Sequence, residues 1–297
     1  MNQIETKSKQ NNSNKNNLKE DIQINPSKLF EKNISQNNKE EKVFYYSDEL
    51  NDEVLKDDII PDKIDENYKY THKNPFWNIT ASLVYRIAVV FSYIYFKIKY
   101  KFKYENKKVL KGYKNKGYFV YGNHTQEFLD VFGPTYYNFH KRIYVIANPK
   151  NVSMKGLKTF VRMVGGLPTP DTLGACKNFF NEIQYSMKKK FAIIVYPEAH
   201  IWPYYTKIRN FKSVSFKYPV ELNVPSFCAT TTYQKGKNGK CKIITYLDGP
   251  FFPDNTLNKK QAQEKLRNEI YEKMCERSKL SNFEKYQYKK IKGNEND

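Results

Sequence analysis

One continuous apolar run, FAIIVYPEA at residues 191–199, constrains the fold of this chain more than any other feature of the sequence. Its length suits a strand, and because it lacks polar alternation, both of its faces must be covered. A second apolar run, GYFVYGN at residues 117–123, ends at a turn and is also typical of a strand. Three further segments are predicted as strands: RIYVIANP at 142–149, PSFCATTTYQ at 225–234 and KCKIITYLDGP at 240–250.

Segments with helical spacing lie between and after these strands. They are residues 152–166, which end in Gly-Gly, residues 173–190, whose last turn is basic, and residues 257–278. Strands that alternate with helices predict an α/β fold with a mixed, mostly parallel central sheet flanked by helices. We assign this α/β domain to residues 113–280, followed by a polar tail at 281–297.

The first 60 residues have a different composition from the rest of the chain. Residues 1–60 are dominated by Asn, Lys, Gln, Ser and Glu, and their apolar residues are isolated. Such a composition buries too little apolar surface to offset the entropy lost on ordering. The sequence therefore predicts a disordered polar leader, and it lacks the apolar stretch and cleavage site of a signal peptide.

Residues 75–103 form the most apolar segment of the chain. Their apolar core, residues 79–96, reaches only the lower length limit for a membrane span and carries Arg86 in its middle. On a helix the polar residues fall on one narrow stripe, and the C-terminal flank is rich in lysine. This pattern predicts that residues 61–112 contain an amphipathic helix lying in a membrane interface. A soluble core helix with a basic continuation is the alternative.

The charge of the chain favours polyanionic partners. The formal net charge is +20, from 51 Lys and Arg against 31 Asp and Glu. Such a field attracts nucleic acid, anionic lipid headgroups or phosphorylated substrates, and the 25 tyrosines suit a nucleic-acid groove and a membrane interface equally. The four cysteines form no CxxC pair, and His72 and His140 have no acidic or cysteine neighbours at ligand spacing. We therefore predict reduced cysteines and no metal site.

Two titratable residues follow predicted strands at the same kind of position. His124 follows the strand of residues 117–123, and Glu198 ends the strand of residues 191–199. Ligands bind beyond the carboxyl ends of strands in such sheets, so both side chains are expected to face one site. A histidine there suits removal of a proton from a hydroxyl, with a carboxylate on the next turn, Glu127 or Asp130, to orient its ring. Since no GxSxG motif occurs, a one-step transfer fits better than a covalent mechanism.

The block YGNHTQEFLD at residues 121–130 resembles the histidine–aspartate block of the glycerolipid acyltransferase family, which includes lysophosphatidic acid acyltransferases. Two later blocks are also similar to that family and follow in the same order. VYPEA at 195–199 is similar to the block that runs into Pro-Glu-Gly, and NVPSFCATT at 223–231 is similar to the block in which Val-Pro opens a late strand. With the apolar segment before the histidine, the resemblance covers about residues 75–250.

The resemblance implies an O-acyltransferase of phospholipid biosynthesis, peripheral or monotopic on the cytoplasmic side of a membrane with anionic lipids. His124 would be the general base, with Asp130 preferred over Glu127 as its partner. The acyl donor would be a thioester of coenzyme A or of an acyl carrier protein, used as a co-substrate, and no cofactor is implied. The acceptor would be the hydroxyl of a lysophospholipid or of a glycerol phosphate, like the substrate of 1-acylglycerol-3-phosphate acyltransferases. Substrate-binding residues would be Asn123, Glu198, His200, Lys207, Arg209 and Lys212.

The chain departs from the family pattern at three places. Five residues, rather than four, separate His124 from Asp130. Ala199 and His200 follow Glu198 where the family has Gly and then an Arg that is assigned to the acceptor phosphate, so Lys207, Arg209 and Lys212 are candidates to supply that charge. The second block, expected near residues 165–172, is not recognisable.

Two other classes of function remain open from the sequence. A non-enzymatic protein that binds RNA or anionic membranes would explain the charge and the interleaved Tyr and Lys, but it gives no reason for the His124 block. A hydrolase that uses His124 and an acid would release free fatty acid without an acceptor. For an acyltransferase, no nucleic-acid partner is expected.

Overall fold

The computed structural model describes residues 42–55, 58–72, 74–139 and 141–291. The described residues all belong to one compact unit. Most of the predicted leader, and His140, therefore lie outside the described residues.

A seven-stranded mixed sheet forms the centre of the fold, which confirms the predicted class. Its strands lie in the order β2-β8-β7-β3-β6-β4-β5, and the pairing is parallel throughout except between β7 and β8. The strands are β2 (Lys103–Glu105), β3 (Tyr118–Gly122), β4 (Ile143–Ala147), β5 (Gly166–Pro168), β6 (Ala192–Val195), β7 (Ser226–Lys235) and β8 (Cys241–Phe251). β3 and β6 are neighbours at its centre, and every one of their residues is buried, as their unbroken apolar sequences require.

Helices cover both faces of this sheet. They are α1 (Pro75–Tyr100), α2 (Glu127–Tyr137), α3 (Pro149–Ser153), α4 (Lys158–Met163), α5 (Leu173–Lys188), α6 (Lys217–Leu222) and α7 (Lys259–Ser278), with 3₁₀ turns at Lys107–Tyr113, Val214–Phe216 and Lys237–Gly239. The predicted helices at 173–190 and 257–278 are confirmed as α5 and α7. Each begins at a side-chain cap, since Thr172 accepts from the backbone N–H of Ala175 and Asn258 from that of Gln261.

The predicted single helix at residues 152–166 is wrong. The chain there forms α3 and α4, with Gly156 between them at a φ of +75°. A left-handed residue cannot continue a right-handed helix, so the segment breaks at this glycine. The predicted stop at Gly-Gly is present: Gly165 has a φ of +103°, and Gly166 begins β5.

Two short strands correct the predicted leader and tail. β1 (Val43–Tyr46) pairs in parallel with β9 (Gln287–Lys290) in a separate two-stranded sheet. Residues 42–55 therefore do not belong to a disordered leader, and residues 287–290 do not belong to a polar tail. Phe44 is almost fully buried in a cluster with Trp202, and this aromatic packing orders segments whose own composition is polar.

The predicted membrane-associating segment at 61–112 contains one long helix and one strand of the main sheet. α1 spans Pro75–Tyr100, with Asn74 as its N-cap and Pro75 in its first turn, whereas β2 pairs with β8 beyond its end. The inner face of α1, with Tyr85, Val89 and Phe96, packs on the domain. Its outer face is apolar and exposed, with Phe76, Ile79, Leu83, Ile87, Val90, Phe91, Ile94 and Ile98.

By length and composition alone, α1 is the one helix in the described part of the chain that is apolar enough to cross a membrane. Its inner face is committed to the domain, however, and a helix packed along one side on a globular domain leaves only its opposite side for lipid. The alternative of a soluble core helix leaves that exposed apolar face unexplained.

Gly165 provides a test of the turn that leads into β5. A Cβ at Gly165 would clash with the backbone oxygen of Ile143, in addition to the cost of the positive φ. We expect Gly165→Ala to lower the free energy of unfolding by about 2–5 kcal/mol, measured by denaturant titration. Gly156→Ala is the matched control, because Gly156 also has a positive φ but faces open space. It should cost only about 1–2 kcal/mol, and equal losses would contradict the proposed clash.

Candidate active site

The site lies where two neighbouring parallel strands end. Tyr121 of β3 pairs with Val195 of β6, so the segments that leave the two strands start side by side at one edge of the sheet. The backbone N–H of His124 donates to Oε2 of Glu198 over 3.1 Å. The structure thus brings together the two residues that topology predicted to share a site.

Asp130 is the carboxylate that contacts the imidazole. Nδ1 of His124 lies 2.9 Å from Oδ2 of Asp130. The Asp130 side chain is 5% exposed and that of His124 is 15% exposed, so the pair sits at a rim with the histidine towards solvent. Glu127, the other candidate partner, is exposed on the first turn of α2. Of the two acids, the geometry therefore favours Asp130.

The same Asp130 oxygen also organises the start of α2. Oδ2 accepts the backbone N–H groups of Thr125 and Gln126, each over 2.9 Å. These residues precede the helix in irregular conformation, so the carboxylate satisfies donors that have no intrahelical partner. The fifth residue between His124 and Asp130 is accommodated in this irregular stretch, where the chain turns before the helix begins at Glu127.

Burial and hydrogen bonding shift the pKa of Asp130 in opposite directions. Burial raises the pKa of the Asp130 carboxyl, while the hydrogen bond and charge of His124, together with the two backbone N–H groups, act to lower that pKa. A carboxylate at this position favours the Nδ1–H tautomer of His124 and leaves Nε2 with a lone pair. The ring is also held by stacking on Tyr196, at 4.6 Å between centroids and 17° between planes.

Glu198 joins the two segments that form the site. Its Oε2 accepts the N–H of His124, and its Oε1 accepts the N–H of Arg209 over 3.0 Å. The Arg209 guanidinium lies 3.5 Å from Oε2, and both side chains are fully buried. Burial raises the pKa of Glu198 and the charge of Arg209 opposes that shift. Neither side chain reaches solvent, and both hold the loop after β6 in place. The predicted role of these two residues in substrate binding stays a prediction.

Arg209 is held by further contacts that the sequence did not suggest. Its guanidinium stacks over the ring of Trp202, at 4.7 Å from the centroid, and it donates to the backbone oxygens of Glu49 and His200. Trp202 in turn donates from Nε1 to the Asp52 backbone oxygen and stacks on Tyr288. The sheet of β1 and β9 thus covers the loop that carries Glu198 and Arg209.

Asn123 holds the end of β3 to β7, and its predicted role in substrate binding stays a prediction. Its side chain is almost fully buried and exchanges two hydrogen bonds with the backbone of Thr231 in β7, over 3.0 and 2.8 Å. The amide thereby imitates one more step of the β3–β7 pairing just after β3 ends. It fixes where the chain leaves the sheet and so where His124 is placed.

The remaining predicted site residues lie on the loop after β6. His200 is partly buried, and burial lowers the pKa of its imidazole, with the charge of Glu53 acting in the opposite direction. Lys207 and Lys212 are exposed, on either side of buried Arg209. Within the described residues, no group of three or more His, Cys, Asp or Glu side chains is placed to hold a metal ion.

Three tyrosines near His124 were missed from the sequence. Besides its stacking on the imidazole, Tyr196 donates from its hydroxyl to the Asp130 backbone oxygen over 2.5 Å. Tyr233 is fully buried, and its hydroxyl bonds Thr125 Oγ1 and accepts from Gln126 Nε2. The backbone N–H of Tyr204 donates to the Thr125 backbone oxygen. Tyr196 directly precedes Pro-Glu, and this position was the one sequence signal for it. Tyr204 and Tyr233 lie too far from His124 in sequence to be found in this way.

Comparisons with known proteins give a likeness of fold to solved structures. No model of a known protein family matches the chain, and no curated protein does. Among solved structures, the chain is similar to the crystal structure of the 1-acyl-sn-glycerophosphate (LPA) acyltransferase, PlsC, from Thermotoga maritima. The two are 15% identical with a TM-score of 0.48, and the match covers 72% of this chain and 87% of that one. Function is therefore inferred from the side chains of the site.

The hydrogen bonds of Asp130 predict that substitution of Asp130 destabilises the protein more than substitution of Glu127. Asp130→Ala removes the acceptor of two backbone N–H groups and of His124, so the free energy of unfolding should fall by on the order of 3 kcal/mol. Asp130→Asn keeps an acceptor oxygen and should cost less. Glu127→Ala is the matched control on the same turn and should change stability by no more than about 0.5 kcal/mol. Equal losses for the two alanine variants, in denaturant unfolding, would refute the assignment of Asp130.

Ala199 predicts a stabilising substitution beside the site. Its φ of +64° lies in the left-handed region, which is strained for a residue with a Cβ, and it occupies the position of glycine in the resembled block. Ala199→Gly should raise the free energy of unfolding by up to about 1 kcal/mol, because relief of strain exceeds the entropy that glycine adds to the unfolded chain. Ala88→Gly, within α1, is the control and should lower it by about 1 kcal/mol. A loss at both positions would contradict the interpretation.

Proposed function

We propose that this protein is an O-acyltransferase that works at a membrane surface and transfers a fatty acyl group from a thioester to the hydroxyl of a lysophospholipid or glycerol-phosphate acceptor. The observation that carries the proposal is the pair of His124 and Asp130, with 2.9 Å between Nδ1 and Oδ2 and the imidazole at a solvent-facing rim. This geometry is that of a general base with an orienting carboxylate.

The reaction follows from the position of the free ring nitrogen. Nε2 of His124 takes the proton of the acceptor hydroxyl as that oxygen attacks the thioester carbonyl. Asp130 stabilises the imidazolium that forms. Its carboxylate does not need to move, because two backbone N–H groups already hold it in place. The new C–O bond forms, the C–S bond breaks, and the proton passes from His124 to the departing thiolate of coenzyme A or of an acyl carrier protein. No cofactor is required.

Binding of the acceptor phosphate is assigned to exposed cations rather than to Arg209. Arg209 is fully buried against Glu198, so its charge pairs with that carboxylate and stabilises the loop. Lys207 and Lys212 are exposed on the loop after β6, the element that carries Glu198, and a flexible ammonium suits a phosphate as a point charge. His200, on the same loop, is a candidate contact with the acceptor.

Membrane association is assigned to α1. Its outer face exposes a row of large apolar side chains, among them Phe76, Leu83 and Phe91, while its inner face is packed on the domain. Lys97 and Lys99 occupy its last turn, where they suit anionic headgroups. A helix half-immersed in this way would hold the enzyme on the cytoplasmic leaflet as a monotopic protein of phospholipid biosynthesis.

The test is transfer of a labelled acyl chain to a panel of lysophospholipids and glycerol 3-phosphate, with acyl-coenzyme A and acyl carrier protein as alternative donors. His124→Ala should reduce kcat by about 100- to 10,000-fold, the contribution typical of a general base. Asp130→Asn should reduce kcat more than it changes KM, since it removes charge that acts in the transition state. Glu127→Gln is the matched control and should retain wild-type turnover.

Three outcomes would overturn the proposal. Equal turnover by wild type and His124→Ala would show that His124 is not the general base. Release of free fatty acid with no acylated acceptor would indicate a hydrolase. Absence of transfer, together with steeply salt-dependent RNA binding that ignores His124→Ala and Glu198→Ala, would indicate a nucleic-acid-binding protein.

A further inference from the structure

A cleft of about 430 Å³ lies between α1, the segment before it and the edge of the main sheet. None of the residues described at the His124 site lines it. Lys141 and Phe191, which do line it, precede β4 and β6, whereas His124 and Glu198 follow the carboxyl ends of β3 and β6. The cleft and the His124 site therefore have different lining residues, and Lys141 and Phe191 lie near the amino ends of their strands, opposite to the strand ends that carry His124 and Glu198.

The lining of this cleft is strongly cationic. One lining residue, Glu182, is acidic, and five are basic: Arg86, Lys141, Arg142, Arg162 and Lys189. Glu182 accepts a hydrogen bond from Thr71, and burial raises the pKa of its carboxyl. His72 also lines the cleft, and burial lowers the pKa of its imidazole, with Arg162 acting in the same direction. The cleft thus suits an anion.

Two of the arginines are held in place with donors to spare. Arg142 stacks over the ring of Tyr85, at 4.2 Å, and donates from Nη2 to the Met163 backbone oxygen. Arg162 donates from Nη2 to the Lys69 backbone oxygen and lies 2.8 Å from His72 Nε2. A guanidinium has five N–H donors, so each of these rigidly placed groups keeps donors for a ligand. Planar forks of this kind match the oxygens of a phosphate.

Lys141 contributes charge to the cleft without being available for contact. Its ammonium donates to the backbone oxygens of Lys116 and Lys190, and the side chain is buried. Burial lowers its pKa to about 8, so it remains mostly protonated at neutral pH. Arg86 and Lys189, in contrast, are exposed at the mouth, and neither forms an ion pair among the described residues.

The position of α1 indicates which phosphate the cleft receives. Asn78, Ser82 and Arg86 line the cleft, and on the same helix Ile79, Leu83 and Ile87 belong to the exposed apolar face. A headgroup in the cleft would therefore lie beside a surface suited to acyl chains. A free phosphate ion would use the charge but not this apolar neighbour, so the arrangement favours a lipid.

We propose that this cleft binds the phosphate headgroup of an anionic membrane phospholipid, at a site separate from His124. The inference rests on the membrane contact of α1 in the proposed function but not on the acyl-transfer reaction. Its consequence is that α1 holds the membrane through two kinds of contact, apolar side chains on its outer face and one specifically bound headgroup at its polar edge.

Trp77 offers a direct signal of occupancy. It lines the cleft, its ring lies 4.3 Å from that of His72, and it is one of two tryptophans in the chain. The other, Trp202, is fully buried in a different cluster. Intrinsic fluorescence can therefore be titrated with dihexanoyl phosphatidic acid kept below its micellar concentration, so that no bilayer contributes. Trp77→Phe should abolish the response.

The decisive comparison uses two double variants with the same change in charge. Arg86→Glu with Lys189→Glu reverses both exposed cations of the cleft, whereas Lys177→Glu with Lys188→Glu reverses two exposed cations of α5 that do not line it. We expect a rise of at least tenfold in the Kd of the lipid for the first pair and a change of less than about twofold for the second, since diffuse surface charge is screened at 0.15 M salt. Equal rises would show a general effect of net charge and overturn the site.

Two further binding measurements identify the ligand and locate its site. Dihexanoyl phosphatidylcholine should bind at least tenfold more weakly, and inorganic phosphate that bound as tightly as the lipid would overturn the assignment to a lipid. His124→Ala should leave the Kd unchanged, and a tenfold rise would place the lipid at the reaction site and refute a separate one. Because binding is read without turnover, loss of the acyl-transfer reaction and loss of this site give different results.

Discussion

The buried carboxylate of Glu198 is the interaction on which the site depends most. It accepts the backbone N–H groups of His124 and Arg209 and pairs with the Arg209 guanidinium, so one side chain connects the exits of β3 and β6 with the loop that follows. A buried carboxylate is costly unless its oxygens are satisfied, and removal of any one partner leaves a charge in a place without water. These contacts hold His124 at the rim of the sheet.

Asp130 has two functions that reinforce each other. The same oxygen holds the imidazole and the backbone N–H groups that precede α2, so the start of the helix and the orientation of the His124 ring depend on the same contacts. Since these backbone contacts form during folding, the carboxylate is already held in place beside the imidazole in the folded chain. Asn123 completes this arrangement from the other side by tying the end of β3 to β7.

The sequence predicted the central parts of the fold well, for physical reasons that differ from element to element. β3 and β6 are continuous apolar runs, and α5 and α7 have clear caps, so their positions follow from local sequence. Topology then brought His124 and Glu198 to one edge. β1 and β9 were missed because their order comes from aromatic packing on Trp202, which joins segments far apart in the chain.

The roles of polar residues were harder to predict than their positions. Arg209, Glu198 and Asn123 have the chemistry of ligand-binding groups, and only burial and partners show that they bind other parts of the chain. Asp130 and Glu127 were both open as partners of His124 until the irregular stretch before α2 was known. The cationic cleft beside α1 combines residues from five separate segments, so no local sequence pattern predicts it.

The pairing of β1 with β9 also has a consequence for the order in which the protein is completed. During synthesis the segments from β3 to β6 leave the ribosome long before Gln287–Lys290, the strand that closes the aromatic cover over Trp202. The central sheet can assemble first, but the loop from Glu198 to Arg209 stays without its cover until almost the whole described chain has emerged. Until then, a nascent chain would hold His124 without the full support of the loop from Glu198 to Arg209.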